Sequence, residues 1–211
     1  MLTKNNPVFS VLLVRHAPVQ GQIGVCYGRQ DVELCPGWEV LVENLFVFVK
    51  KLSCTNIYTS PSKRCYEMAD RLAKKAHITL IVDHRLLELN FGLWEGQRWE
   101  TIDRSQLDLW AKCPETFAPP KGESGLSLCQ RVGSFWQEIV QKKQSVCVIS
   151  HGGPLRVLKS LAMGEQPHLL APSMPQGSFC LLPIFPEQKN NSQHKDKDIQ
   201  EKSRWLSRCI S

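Results

Sequence analysis

Three groups of polar residues stand where apolar runs end. Arg15-His16 closes the run Val8 to Val14, Ser60 to Arg64 follows Asn56 to Thr59, and His151-Gly152 follows Ser145 to Ser150. Guanidinium matches phosphate oxygens bidentately, so two arginines and two histidines drawn together would suit a phosphate group. Arg64 falls in the first turn of an expected helix and Gly152-Gly153 leads into another, which adds backbone N–H groups and a favourable dipole for an oxyanion. Taken alone, an Arg–His pair at a strand end is more often a solvated edge. Ser60 reads as a helix cap first and a phosphate contact second.

The elements that must position these groups alternate along the chain, the pattern of a mainly parallel α/β sheet. Val8 to Val14 is continuous enough for a strand covered on both faces. Trp38, Leu41, Val42, Leu45, Phe48 and Val49 recur with helical period after Pro36-Gly37. Asn56 to Thr59 predicts a short strand, and Ser60-Pro61-Ser62 signals a helix with Met68, Ala69, Leu72 and Ala76 on one face. Ile78 to Val82 is the next strand. Residues 97 to 125 break the alternation and read as an insertion, helical around Leu107 to Ala111. Leu128 to Val140 restores the helical period, followed by the strand Ser145 to Ser150, a helix to Met163 stopped by Gly164, and a last strand, Ser178 to Ile184. Ligands of open α/β sheets bind outside the carboxyl ends of the strands, so the three polar groups are expected to converge there.

The 211 residues accommodate one large domain, expected over 1–186, with a polar, flexible tail over 187–211. Hydrophobic residues make up 42%, enough for a continuous core, and 26 Lys and Arg against 20 Asp and Glu give a net charge of +6 spread along the chain. That balance favours a small anionic ligand over a nucleic-acid groove. Nine cysteines without CxxC or other metal-ligand spacing read as buried thiols in a reducing compartment. No uncharged run approaches the roughly 18 residues that span a bilayer, and the first apolar run is too short for a signal-peptide core. The expectation is a cytoplasmic protein with no membrane or nucleic-acid partner; nothing in the composition speaks to oligomeric state.

Leu13-Val14-Arg15-His16-Ala17 resembles the Arg-His-Gly signature of the histidine phosphatase superfamily, the phosphoglycerate mutase-like proteins. Ser60-Pro61-Ser62-Lys63-Arg64-Cys65 resembles its second motif, Glu88 to Gly96 its acid-bearing segment, and Ser150-His151-Gly152-Gly153 its distal histidine motif. Each motif is weak alone, and the four in order are strong. The resemblance implies a three-layer α/β/α fold with a mainly parallel central sheet. The Phe-Gly-x-Trp-Glu-Gly form, the loop Tyr27-Gly28-Arg29 and the Pro-Pro-Lys-Gly-Glu segment ending at Glu123 look most like α-ribazole phosphatases, which remove phosphate from α-ribazole 5′-phosphate in cobalamin biosynthesis. Leu89 and Asn90 replace the Arg and His of the mutase form of the acid segment, which disfavours mutase activity.

By this resemblance His16 is the nucleophile, Arg15, Arg64 and His151 hold the phosphoryl oxygens, and Glu88 is the general acid, with Glu95 its competitor on the same segment. Arg29, Ser60 and Gly152 are implied as substrate contacts. No metal or other cofactor is implied. The expected activity is a metal-independent phosphomonoesterase acting through phosphohistidine on a small phosphorylated metabolite, with α-ribazole 5′-phosphate preferred. A phosphatase of sugar phosphates, nucleotides or phosphoglycerate is the alternative enzyme, and a non-catalytic phosphate-binding regulatory protein the alternative from another class. Ala17 stands where the family has glycine, which a left-handed backbone would penalise and an ordinary one would not.

Overall fold

The computed structural model describes residues 7–185; the tail expected over 187–211 lies outside the described residues. Strand β1 (Phe9–Arg15) is followed by α1 (Glu39–Lys51), β2 (Asn56–Thr59), α2 (Lys63–Ala76) and β3 (Thr79–Val82). Three short 3-10 turns then precede α3 (Arg104–Lys112), α4 (Gly125–Lys142), β4 (Val146–Ser150), α5 (Gly152–Met163) and β5 (Phe179–Ile184). The strand order is β3-β2-β4-β1-β5, parallel throughout except that β5 runs antiparallel to β1. The expected three layers are present.

Period-two alternation builds the layers from β1 outward. Leu12 and Val14 face α1 and α2, packing with Val42, Leu45, Met68 and Leu72. Val11 and Leu13 face the opposite way, toward Leu128, Val132 and Phe135 of α4 and Leu155 and Leu158 of α5. A strand buried on both faces disfavours polar residues, which is why Val11 to Val14 of β1 and Val146 to Ile149 of β4 are continuous apolar runs, while the buried serines, Ser10 and Ser150, are hydrogen-bonded.

Differences from the sequence reading lie mostly at element ends. The helix expected around Leu107 to Ala111 extends back to Arg104, because Asp103 caps it by accepting from the Gln106 N–H. The cap expected at Ser60 to Ser62 is different in kind: Ser62 is the N-cap residue of α2, but its side chain makes no capping bond. Instead the Ser60 hydroxyl donates to Ser62 Oγ and accepts from the Ser62 N–H. As expected, α5 stops at Gly164, which takes the left-handed conformation at φ +69°. A third apolar cluster lies off the sheet, around Cys26, Trp94 and Ile102, with Phe91, Trp99, Trp110 and Phe117 packed on it. Among the described residues no helix is long and apolar enough to cross a membrane.

Candidate active site

Strand register brings the separated groups together. Arg15 pairs with Ser150 across β1 and β4, and Thr59 pairs with Ile149 across β2 and β4. The residues that follow, His16, Ser60 and His151, therefore leave three neighbouring parallel strands at the same edge. The His16 and Ser60 N–H groups still donate to the Ser150 and Ile149 carbonyls, each at 3.1 Å. The two imidazoles end edge to face, with ring centroids 5.3 Å apart.

His16 Nδ1 lies 2.8 Å from the Ala17 carbonyl. A carbonyl can only accept, so Nδ1 carries the proton and Nε2 the lone pair. Burial, with smaller contributions from Arg64 and Arg15, lowers the pKa of His16 to about 3, against a backbone bond that raises it. The ring is therefore neutral at physiological pH. Burial likewise holds His151 far below its ordinary value, reinforced by Arg64, His16 and Arg15; its Nε2 is 2.8 Å from Ser60 Oγ. Ala17 has an ordinary backbone, so alanine costs nothing sterically there, and its N–H points to Met68 Sδ at 3.2 Å.

Two arginines flank the histidines. Arg64 is fully buried and donates from Nη1 to the Gln30 carbonyl and from Nη2 to the Gly28 carbonyl, with the Tyr27 ring 5.1 Å from its guanidinium carbon. Arg15 donates from Nη1 to Ser173 Oγ and the Met174 carbonyl. In both, Nε is buried without an acceptor. Buried donors are ordinarily paired, so two uncompensated guanidiniums beside two neutral imidazoles make a site that calls for an anion.

Glu88 approaches from the far side. Its Oε1 accepts from its neighbour's N–H, Leu89, at 2.9 Å and from Gly153 N–H at the start of α5 at 3.1 Å. A Cβ on Gly153 would stand 2.4 Å from that oxygen, so only glycine admits the carboxylate there. Glu95 is engaged elsewhere, accepting from the Arg29 and Phe91 N–H groups.

Above these groups opens a cavity of about 430 Å³. Arg15, Glu88 and Gly152 line it, whereas His16, Arg64 and His151 do not and are buried, at 1%, 0% and 0% exposure. One wall is aromatic, with Phe91, Trp99 and Trp110, the two tryptophans stacked at 6.1 Å and 17°. Ser60 is buried against His151 and does not line the cavity. Arg29 does not line the cavity; its guanidinium is committed to the Glu88 carbonyl and to Glu123.

Sequence reasoning missed Arg156, which lines the cavity and has a buried, unpartnered Nε. Its spacing of four from Gly152 on α5 places it on the same helix face, a signal that residue type alone does not carry. It also missed Arg131, whose neighbours are distant in sequence, and Ser173, which sits in a segment without periodicity. Among the described residues no group of three or more His, Cys, Asp or Glu is placed to hold a metal ion.

Comparison with known proteins gives the family and the fold. Residues 11–197 match the family model of the histidine phosphatase superfamily (branch 1). The chain is 28% identical over 160 residues to phosphoserine phosphatase 1 of Hydrogenobacter thermophilus, covering 73% of this chain and 76% of that protein. It is also 28% identical over 159 residues to a 2,3-bisphosphoglycerate-dependent phosphoglycerate mutase of Cytophaga hutchinsonii, covering 70% and 74%. The crystal structure of the α-ribazole phosphatase from Shigella flexneri superimposes with a TM-score of 0.73 over 82% of this chain and 89% of that one, at 20% identity, a likeness of fold.

Proposed function

The chain belongs to the histidine phosphatase superfamily, and from that membership we propose that it is a metal-independent phosphomonoesterase working through a phosphohistidine on His16, with α-ribazole 5′-phosphate as its substrate. The observation that carries the mechanism is the bond from His16 Nδ1–H to the Ala17 carbonyl. It directs the lone pair of a neutral ring onto Nε2, near the buried guanidinium of Arg64 and the half-buried one of Arg15.

In this reading Nε2 attacks phosphorus in line, forming the N–P bond as the ester P–O bond breaks. Glu88 gives its proton to the departing alkoxide. In the second half a water attacks the phosphohistidine, Glu88 takes the water's proton, and the N–P electron pair returns to Nε2, releasing inorganic phosphate. Arg15 and Arg64 hold the equatorial oxygens, where charge spreads in the transition state, and His151 joins them by turning its one N–H from Ser60 to an oxygen. Gly152, at the first turn of α5, adds a backbone N–H to the same oxygens, and Ser60 orients His151.

Discrimination among phosphomonoesters falls to the groups around the leaving alcohol. Phe91, Trp99 and Trp110 offer aromatic faces to a flat base, and stacking of that kind is worth roughly 1–3 kcal/mol. A second reading has its own observation: Arg156 at the cavity wall, with a buried unpartnered Nε, favours a substrate bearing a second acidic group. Steady-state kinetics on a panel separates the two. The first requires α-ribazole 5′-phosphate to exceed ribose 5-phosphate, which lacks the ring, by about tenfold or more in kcat/KM. If phosphoserine or 3-phosphoglycerate is preferred instead, the cobalamin assignment fails and the mechanism stands.

A further inference from the structure

Glu88 lies between two 3-10 turns, His84–Leu86 and Gly92–Trp94, in a stretch without helix or strand. Such a backbone has no ladder to hold it, and its polar groups must be satisfied by other means. Here they are satisfied by side chains. The Glu88 carbonyl accepts from Arg29 Nε at 2.9 Å and from Arg131 Nη2 at 3.1 Å. Arg131, reaching up from α4, also donates from Nη1 to the carbonyls of Arg85 and Leu87, both at 2.7 Å. One guanidinium thus pins three carbonyls of a four-residue span.

Glu123 ties the two arginines together. Its Oε1 accepts from Arg29 Nη2 at 3.0 Å, from Arg131 Nη2 at 2.5 Å and from the Asn90 N–H at 3.1 Å, while Oε2 accepts from Arg131 Nε at 3.2 Å. Glu123 and Arg131 are 16% and 18% exposed, so solvent screens this network weakly and its charge-assisted bonds are of the stronger kind. The peptide groups on either side of Glu88 are therefore held by Arg29 and Arg131, which Glu123 ties to each other and to the Asn90 N–H, and its carboxylate is held by Gly153.

We propose that Arg131, Glu123 and Arg29 form a clamp that positions Glu88 for proton transfer to the leaving group. All three are positioning residues, touching neither phosphate nor cavity in this arrangement. A proton donor works only within hydrogen-bond reach of the atom it serves, and a misplacement of about 1 Å costs on the order of a hundredfold. The proposal rests on the reading of Glu88 as the general acid, and the test keeps the two apart.

The readout is kcat/KM, which the shared hydrolysis of the phosphoenzyme does not enter, on p-nitrophenyl phosphate and on an alkyl phosphate such as ribose 5-phosphate. Nitrophenolate leaves with little help from an acid, and an alkoxide does not. Arg131→Gln is expected to lose about tenfold or more in the alkyl-to-nitrophenyl ratio, up to but not beyond the roughly 10²–10⁴ lost with the acid itself. In a Glu88→Gln background the same substitution should add nothing to that ratio, the non-additivity of residues acting through one group. Arg29→Gln removes one of the two donors to the Glu88 carbonyl from a partly exposed loop and should show a smaller loss of the same pattern. It also serves if Arg131→Gln does not fold. If Glu88→Gln itself lowers both substrates equally, the acid role falls and the clamp with it. If Glu88→Gln discriminates and both arginine variants lower the two substrates equally, or add their full factor to Glu88→Gln, the network is merely structural and the proposal is overturned.

Discussion

His16 is held by its own neighbour: its Nδ1–H donates to the carbonyl of Ala17 at 2.8 Å, which leaves Nε2 as the basic nitrogen of the ring. Because the Ala17 backbone is ordinary, alanine supports this bond as glycine would. Incubation with a ³²P-labelled phosphomonoester followed by a quench without acid should trap an acid-labile, base-stable phosphoryl group. The label should map to Nε2 of His16, and His16→Ala should carry none. Chelators should leave the rate unchanged, since cationic side chains stand where a metal would otherwise neutralise the phosphoryl oxygens.

The same burial makes stability depend on pH. With the folded pKa of His16 at about 3 and an unfolded value near 6.5, the unfolded chain takes up its proton first as pH falls. Stability contributed by the neutral ring is therefore full above pH 6.5 and is lost progressively down to about 3, by up to about 1.4 kcal/mol per pH unit. Urea unfolding at pH 7 and pH 5 should show the loss, and His16→Asn should lessen it by about 2 kcal/mol over that interval. An unchanged pH dependence in the variant would mean that His16 titrates normally.

Gly153→Ala should separate stability from activity. Alanine within a helix is ordinarily favoured over glycine by about 1 kcal/mol, but at this position its methyl would stand 2.4 Å from Glu88 Oε1. The carboxylate must move. The expected result is a melting temperature close to the parent's with a loss of about a hundredfold in kcat/KM on alkyl phosphates. Full activity would show that the Gly153 contact is dispensable.

Glu95 should behave in the opposite way. Its Oε1 accepts from two backbone N–H groups, of Arg29 and Phe91, and so fixes the loop that supplies carbonyls to Arg64. Glu95→Gln is expected to destabilise by about 1–3 kcal/mol while leaving the ratio of alkyl to nitrophenyl phosphate rates untouched. A changed ratio would reopen the choice between Glu88 and Glu95 as proton donor.

Trp110→Ala tests the aromatic wall. Its ring stacks on Trp99 and meets Trp94 and Phe91 edge-on, so some stability will be lost with it. On α-ribazole 5′-phosphate kcat/KM should fall by about ten- to a hundredfold, against little change on ribose 5-phosphate. Equal changes on the two substrates would leave the wall a packing feature.

The amino-acid sequence by itself determined the layers and the edge at which the site is built. Continuous apolar runs such as Leu12 to Val14 demand cover on both faces, and the polar residues that end them, His16, Ser60 and His151, must then leave parallel strands on one side. These are short-range consequences of side-chain alternation and burial, which local pattern records. The family resemblance already favoured Glu88 over Glu95 as the acid, but what each carboxylate faces was decided only by the tertiary structure: Gly153 for one, the Arg29 N–H for the other. Arg29 likewise sits in a loop whose sequence suggests a substrate contact, yet its guanidinium is taken by Glu88 and Glu123, 59 and 94 residues away. Contacts of that range pair a donor with whichever acceptor the packing presents, and no spacing along the chain encodes the pairing.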